Sequence, residues 1–130
     1  MNPYASARQA YAESAILTAS PGRLVVMLYD GAIGSLRQSA AAMRAGDRER
    51  ARIRMRKAEA IIDELNGSLD MSVGELPDRL RSIYNFCKRH LIKANLESDP
   101  AAIETVAGLL AELREGWEHV ARTNETASAA

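Results

Sequence analysis

Apolar residues recur at helical spacing over most of this chain, and that repeat is the feature that most limits its fold. One segment spaces them four, three, four, three and four residues apart, at Ala51, Met55, Ala58, Ile62, Leu65 and Leu69. A later segment continues the same alternation at Ile103, Val106, Leu110, Leu113, Trp117 and Val120. This spacing keeps one apolar stripe on a helix that packs lengthwise against other helices. Since no stretch alternates apolar and polar residues between turn signals, as a strand would, we predict an all-α fold.

Start and stop signals divide this pattern into four helices. Capping residues or prolines predict helix starts at Ser20-Pro21, after Asp47, near Glu75-Leu76-Pro77 and at Asp99-Pro100. The corresponding ends are expected near Ala45, Asp70, Leu96 and Arg122. Each helix then has about 20–25 residues, and the connections are short. These features predict an antiparallel up-and-down four-helix bundle with an N-terminal extension.

A chain of 130 residues is expected to form one domain. Residues 20–122 would form the bundle. Residues 1–19 contain Tyr4 and Tyr11 but no long apolar stripe, so we expect a separate N-terminal segment there. Residues 123–130 are expected to form a flexible tail.

Composition excludes several classes of protein. Lys and Arg total 17, as do Asp and Glu, and a net charge of zero argues against a general nucleic-acid binder. The single cysteine cannot form an intramolecular disulfide. Residues 24–29 form the longest apolar run, far below the ~20 residues of a membrane span. Because the N-terminus also lacks the apolar core of a signal peptide, we expect a cytoplasmic protein without membrane insertion.

Charge is balanced overall but not locally. Residues 44–57 contain seven basic and two acidic side chains, whereas residues 97–125 contain seven acidic and two basic ones. If the second and fourth helices are neighbours, the two runs offset each other. If they are not, the runs form opposite poles that could steer a partner.

The sequence gives little indication of catalysis or metal binding. Di-iron bundles need Glu-x-x-His motifs, but the residue three before His90 is Cys87, and the residue three before His119 is Gly116. Two potential ligands such as Cys87 and His90 do not make a zinc site. We therefore predict no catalytic residue, no metal and no cofactor, with Cys87 buried in the core.

His90 supports one alternative. Residues 90–94 (HLIKA) resemble the His-x-Leu-Lys-Gly pattern of histidine phosphotransfer domains, in which the histidine accepts a phosphoryl group. Ala94 stands where that pattern has a glycine, and His90 is next to the inward-facing Leu91. A phosphotransfer module acting through His90 is the alternative function, and a purely self-associating bundle is a third.

The first and third helices have more apolar residues than a bundle needs, which is about three positions in seven. This surplus indicates either a large core or a groove that accepts an apolar stripe from another chain. In the first helix the residues concerned include Leu24, Val25, Leu28, Tyr29 and Ile33. In the third helix they include Ile83, Tyr84, Leu91 and Ile92, beside inner-face residues such as Leu80.

Residues 17–22 (LTASPG) followed by residues 27–32 (MLYDGA) closely resemble the start of the flagellin-specific export chaperones, the FliS family. Residues 64–70 (ELNGSLD), 89–95 (RHLIKAN) and 113–117 (LREGW) resemble later motifs of the same family. The resemblance extends from Asn2 to about Val120. It implies a helical bundle whose N-terminal segment covers part of the client groove.

The resemblance also implies a function. It indicates a non-enzymatic cytoplasmic chaperone that binds the disordered C-terminal region of flagellin, prevents premature polymerisation and aids delivery to the flagellar type III export apparatus. Tyr11, Tyr29, Tyr84 and Asn95 match family motif positions. We expect a monomer or weak homodimer. Together with the apolar surplus, these positions predict a partner-binding surface of Tyr11, Ile16, Leu24, Val25, Leu28, Tyr29, Ile33, Leu80, Tyr84, Leu91 and Asn95.

Overall fold

The computed structural model describes residues 21–129, with side chains described through residue 126. These residues form four α-helices: α1 (Pro21–Arg44), α2 (Arg48–Gly67), α3 (Leu76–Glu97) and α4 (Pro100–Ala129). The predicted all-α fold class is confirmed. The predicted N-terminal segment 1–19, with Tyr11 and Ile16, and the capping residue Ser20 lie outside the described residues.

Polar contacts between the helices establish their antiparallel order. Near the start of α1, Arg23 forms an ion pair with Glu118 of α4 at 2.6 Å, and near its end Arg44 pairs with Glu104. The side-chain amide of Asn66 in α2 donates a hydrogen bond to Asn85 of α3 at 3.1 Å. The bundle is therefore up-and-down, with α1 between α2 and α4 and with α3 on the opposite side.

Small residues let α1 approach both neighbours closely. A Cβ atom added at Gly31 would lie 3.1 Å from Cδ1 of Ile61 in α2, and one added at Gly22 would lie 3.3 Å from Cα of Ala121 in α4. Helix α3 approaches its neighbours less closely along its length. Its inner face carries Leu80, Tyr84 and Leu91 among its buried residues.

Side-chain caps start α2 and α4 where the sequence predicted. The carboxylate of Asp47 accepts a hydrogen bond from the backbone N–H of Arg50, and that of Asp99 accepts one from Ala102. Before α2, Gly46 has a φ of 78°, the left-handed conformation that glycine adopts without strain. The predicted boundaries of these two starts are confirmed.

Two helix ends differ from prediction. Helix α2 ends at Gly67 instead of near Asp70, and the carboxylate of Asp70 accepts hydrogen bonds from the N–H and hydroxyl of Ser72 in the turn that follows. Helix α4 continues past the predicted end at Arg122 to Ala129. No proline or glycine follows Gly116, so no residue of the usual helix-breaking types interrupts that last stretch.

Candidate partner-binding site

An apolar cleft opens at the end of the bundle where α2 connects to α3. All four helices and the connecting loop contribute to it, and its volume is about 260 Å³. We call this the apolar cleft, and its lining residues are Val25, Leu65, Ser68, Leu69, Asp70, Val73, Leu76, Pro77, Leu80, Tyr84 and Trp117. Its walls are predominantly hydrocarbon, which suits an apolar side chain from another segment.

Two residues on the rim of the apolar cleft leave large apolar side chains in water. Val73 in the loop is 62% exposed, and Leu76 at the start of α3 is 58% exposed. Neither side chain has a place in the core. Burying such surface against a partner would gain roughly 25 cal/mol for each Å² removed from water.

A buried tyrosine pair lies at the inner end of the apolar cleft. The hydroxyl oxygens of Tyr29 and Tyr84 are 2.6 Å apart and their rings are tilted at 53°. Burial raises the pKa of both phenols, so both stay protonated at neutral pH. Tyr84 therefore presents its ring to the cleft while its hydroxyl bonds Tyr29 inside the core.

The structure brings three of the predicted partner-binding residues together in the apolar cleft. Val25 of α1 lies beside Leu80 and Tyr84 of α3. Val25 is half-buried and accessible, whereas Leu80 and Tyr84 are almost fully covered by their neighbours. Most of the exposed apolar surface at this end therefore belongs to Val73 and Leu76.

The other predicted residues within the described part of the chain do not line the apolar cleft. Tyr29, Ile33 and Leu91 are buried in the core, where they hold the helices together in this conformation. Leu24 and Leu28 are half-buried on α1. Asn95 is exposed at the opposite end of the bundle. Tyr11 and Ile16 lie outside the described residues.

Sequence reasoning missed several residues of the apolar cleft, above all Leu69, Val73, Leu76 and Trp117. Leu69 and Trp117 belong to apolar repeats that predict inner helix faces, and Leu76 stands at a predicted helix start. Val73 lies in the loop between α2 and α3, outside any periodic segment. The available signal was that Val73 is an apolar residue in a short connection, where no helix can bury it in the core.

A second cleft lies at the other end of the bundle, between the α1–α2 turn and the end of α3. We call it the polar cleft, and its volume is about 680 Å³. It is lined by Met43, Gly46, Arg48, Ala51, Arg52, Asn95, Leu96, Ser98 and Pro100. Polar and apolar groups contribute to its walls.

Of the two arrangements left open for the charge runs, the structure has the separated one, except that Arg44, the first residue of the basic run, pairs with Glu104 of the acidic run. Helices α2 and α4 are not packed against each other, because α1 lies between them. Cations of α1 pair with carboxylates of α4, as in Arg23–Glu118 and Arg44–Glu104, and these contacts lower the pKa of both carboxyls. Several arginines in the first half of α2 form no ion pair within the described part of the chain, so that half of the helix is a basic pole.

Cys87 and His90, the residues considered for chemistry, differ in their surroundings. Cys87 is fully buried, and burial raises the pKa of its thiol to about 11, so the nucleophilic thiolate is scarce at neutral pH. His90 is half-buried and stacks on Phe86 with ring centroids 5.3 Å apart, which covers one face of the imidazole. Within residues 21–129, no cluster of three or more His, Cys, Asp or Glu is placed to hold a metal ion.

None of the helices described here is long and apolar enough to cross a membrane. The fold and its surfaces define a small antiparallel helical bundle with an open apolar cleft at one end and a basic pole on α2. Residues 4–124 match the family model described as "Flagellar protein FliS", and the chain belongs to that family. The resemblance seen in the sequence motifs is confirmed.

Named relatives cover most of the chain. It is 38% identical over 122 residues to the "Flagellar secretion chaperone FliS" of Salmonella typhimurium, covering 89% of this chain and 90% of the relative. The protein of the same name in Bacillus subtilis is 34% identical over 117 residues, or 90% of this chain and 84% of the relative. That of Escherichia coli is 35% identical over 120 residues, or 88% of each chain.

Proposed function

We propose that this protein is a flagellar secretion chaperone that binds the disordered C-terminal region of flagellin in the cytoplasm. By holding that region, it prevents premature polymerisation and aids delivery of flagellin to the flagellar type III export apparatus. It acts by binding, without catalysis or a cofactor. Membership of the FliS family and the names of its relatives support this proposal.

The apolar cleft is the observation that carries the proposal. A disordered client loses conformational entropy when it binds, so it has to bury extensive apolar surface to bind well. The exposed Val73 and Leu76 offer such surface at a cleft already lined by Val25, Leu80 and Trp117. The cleft is therefore suited to an apolar side chain of an amphipathic client segment, in the helix-in-groove mode.

The N-terminal segment, residues 1–19, is proposed to cover part of this surface until the client displaces it. The described chain begins at Pro21, about one helical turn before Val25 of the apolar cleft. Covering the cleft lowers the apparent affinity, because part of the binding free energy is used to open it. We expect removal of residues 1–15 to tighten client binding and to increase self-association of a protein that is otherwise a monomer or weak homodimer. Weaker binding after truncation would identify the segment as a client contact.

The proposal is tested by titration with a tryptophan-free peptide covering the C-terminal region of the cognate flagellin. Trp117 is the only tryptophan of the chain and lines the apolar cleft, so its fluorescence reports occupancy there. Calorimetry should show saturable one-to-one binding with a negative heat-capacity change, absent for a scrambled peptide. Absence of binding to the cognate peptide would refute the proposed function.

A matched pair of variants locates the binding surface. Leu76→Asp places a negative charge on the rim of the apolar cleft. Ile53→Asp places the same charge on the outer face of α2, away from that cleft. The two side chains are 58% and 55% exposed, so neither change empties the core. We expect Leu76→Asp to weaken binding about tenfold and Ile53→Asp to leave it nearly unchanged. Equal effects would contradict the assignment of the apolar cleft.

A further inference from the structure

The polar cleft holds two arginines without acidic partners. Arg48 and Arg52 lie one helical turn apart on α2, and both are exposed. Neither forms an ion pair or a side-chain hydrogen bond with any residue in the described part of the chain. Their guanidinium groups are therefore available to an external anion.

Three carboxylates near the polar cleft already have partners, whereas Glu49 and Glu97, next to its lining residues, are exposed and form no ion pair with Arg48 or Arg52. Asp47 accepts a hydrogen bond from the backbone N–H of Arg50 at 3.1 Å, and Asp99 accepts one from that of Ala102 at 3.2 Å. Glu104 is paired with Arg44. Since these acids cap helices or neutralise another arginine, none of them makes a direct contact with Arg48 or Arg52.

Apolar and amide groups complete the cleft beside the arginines. Leu96 is 80% exposed, the largest exposed fraction among the large apolar side chains described. Met43 and Pro100 add further hydrocarbon surface. Asn95 also lines the polar cleft, and its side-chain amide has no hydrogen-bond partner among the described residues. The site therefore combines cations, an amide and apolar surface.

We infer that the polar cleft binds acidic side chains of an amphipathic client segment, a role that rests on the proposed chaperone function. Guanidinium groups bind carboxylates through charge-assisted and often bidentate hydrogen bonds. Arg48 and Arg52 are about 6 Å apart along the axis of α2, which matches two carboxylates one turn apart on a client helix. Leu96 packs against an apolar residue beside those carboxylates.

The two clefts together fix a spacing in the client. Leu80 of the apolar cleft and Asn95 of the polar cleft are separated by about 22 Å along α3, at 1.5 Å per residue. A client bridges that distance with about 15 helical residues or about seven extended ones. Simultaneous contact at both ends makes the second binding event intramolecular, which raises the overall affinity without a tighter contact at either end.

The test compares two double variants that remove the same charge from the same helix. Arg48→Gln with Arg52→Gln alters the polar cleft, whereas Arg50→Gln with Arg54→Gln alters a different surface of α2. Two probes are used. The acidic peptide is the C-terminal flagellin peptide itself, and the neutralised peptide has its Asp and Glu changed to Asn and Gln. We expect the polar-cleft variant to bind the acidic peptide about fivefold more weakly and with less dependence on salt. Against the neutralised peptide, this variant and the wild type should bind equally.

Each outcome separates this inference from the proposed function. Equal losses in both double variants would show general electrostatic attraction and would overturn the polar-cleft site, as would unchanged affinity of the polar-cleft variant. A loss caused instead by amidation of the peptide's C-terminus would overturn the assignment to acidic side chains. Failure of the wild type to bind the peptide refutes the chaperone function itself. Urea unfolding of both variants checks that the bundle is intact.

Discussion

Replacing Tyr84 with phenylalanine removes one hydroxyl from the buried pair at the inner end of the apolar cleft and leaves the ring in place. The hydroxyl of Tyr29 then loses a partner 2.6 Å away while remaining fully buried. Tyr29 keeps a hydrogen bond to Trp117, so the loss of this one partner should lower the free energy of unfolding by about 1 kcal/mol. Tyr29→Phe leaves the buried Tyr84 hydroxyl without a partner among the described residues, so it should cost about 1–3 kcal/mol.

The double variant is the decisive comparison. With both hydroxyls removed, no polar group of the pair is left without a partner, and two phenylalanine rings occupy nearly the same volume. The combined loss should therefore be about 0–1 kcal/mol, well below the sum of the single losses. Urea unfolding followed by circular dichroism and by Trp117 fluorescence measures all four proteins.

The same variants test what the tyrosines do in binding. Because the Tyr84 hydroxyl points into the core, Tyr84→Phe should change affinity for the flagellin peptide less than about twofold while it lowers stability. Additive losses in the double variant would refute the hydrogen-bonded pair as a coupled unit. A large loss of affinity without a loss of stability would show that the hydroxyl contacts the client directly.

Three further predictions concern packing, pH and reactivity. Gly34→Ala should raise the free energy of unfolding by about 0.5–1 kcal/mol, because an added Cβ meets nothing within 4 Å. Gly22→Ala should give no such gain, because its Cβ would lie 3.3 Å from the Cα of Ala121 in α4. Arg23 lowers the pKa of Glu118 below 4.5. The stability advantage of the wild type over Glu118→Gln should therefore be complete above pH 4.5 and should disappear as the pH falls through the lowered pKa. Urea unfolding at each pH measures this difference. Cys87 is fully buried and its thiol has a pKa of about 11. The rate at which a thiol reagent labels Cys87 should therefore follow the rate of unfolding. Fast labelling of the folded protein would contradict that burial.

Much of the fold could be predicted from local sequence. The repeat from Ala51 to Leu65 gives the inner face of α2, and each of those residues at the predicted spacing is buried. Asp47 and Asp99 mark helix starts because capping depends on the few residues that follow them. The end of α4 was harder to predict, since a helix without a strong stop signal ends where its sequence and surroundings together stop favouring it.

The candidate site was only partly predictable. The surplus of apolar residues on the first and third helices indicated that some surface was available, but periodicity does not distinguish a core position from the wall of a cleft. Tyr29 and Leu91 follow the same pattern as Val25, yet only Val25 of the three lines the apolar cleft. Val73 was not predicted at all, because a loop residue has no stripe to reveal it.

The sequence by itself determined the four helices, their order and the family to which the chain belongs, because helix periodicity, capping and motifs are local properties of the chain. Tertiary structure decided how far apart the helices lie. Gly22 and Gly31 let α1 lie close to its neighbours, whereas α3 approaches its neighbours less closely. The clefts and the separation of the α2 and α4 charges depend on distances between residues remote in sequence, which only the packed bundle defines.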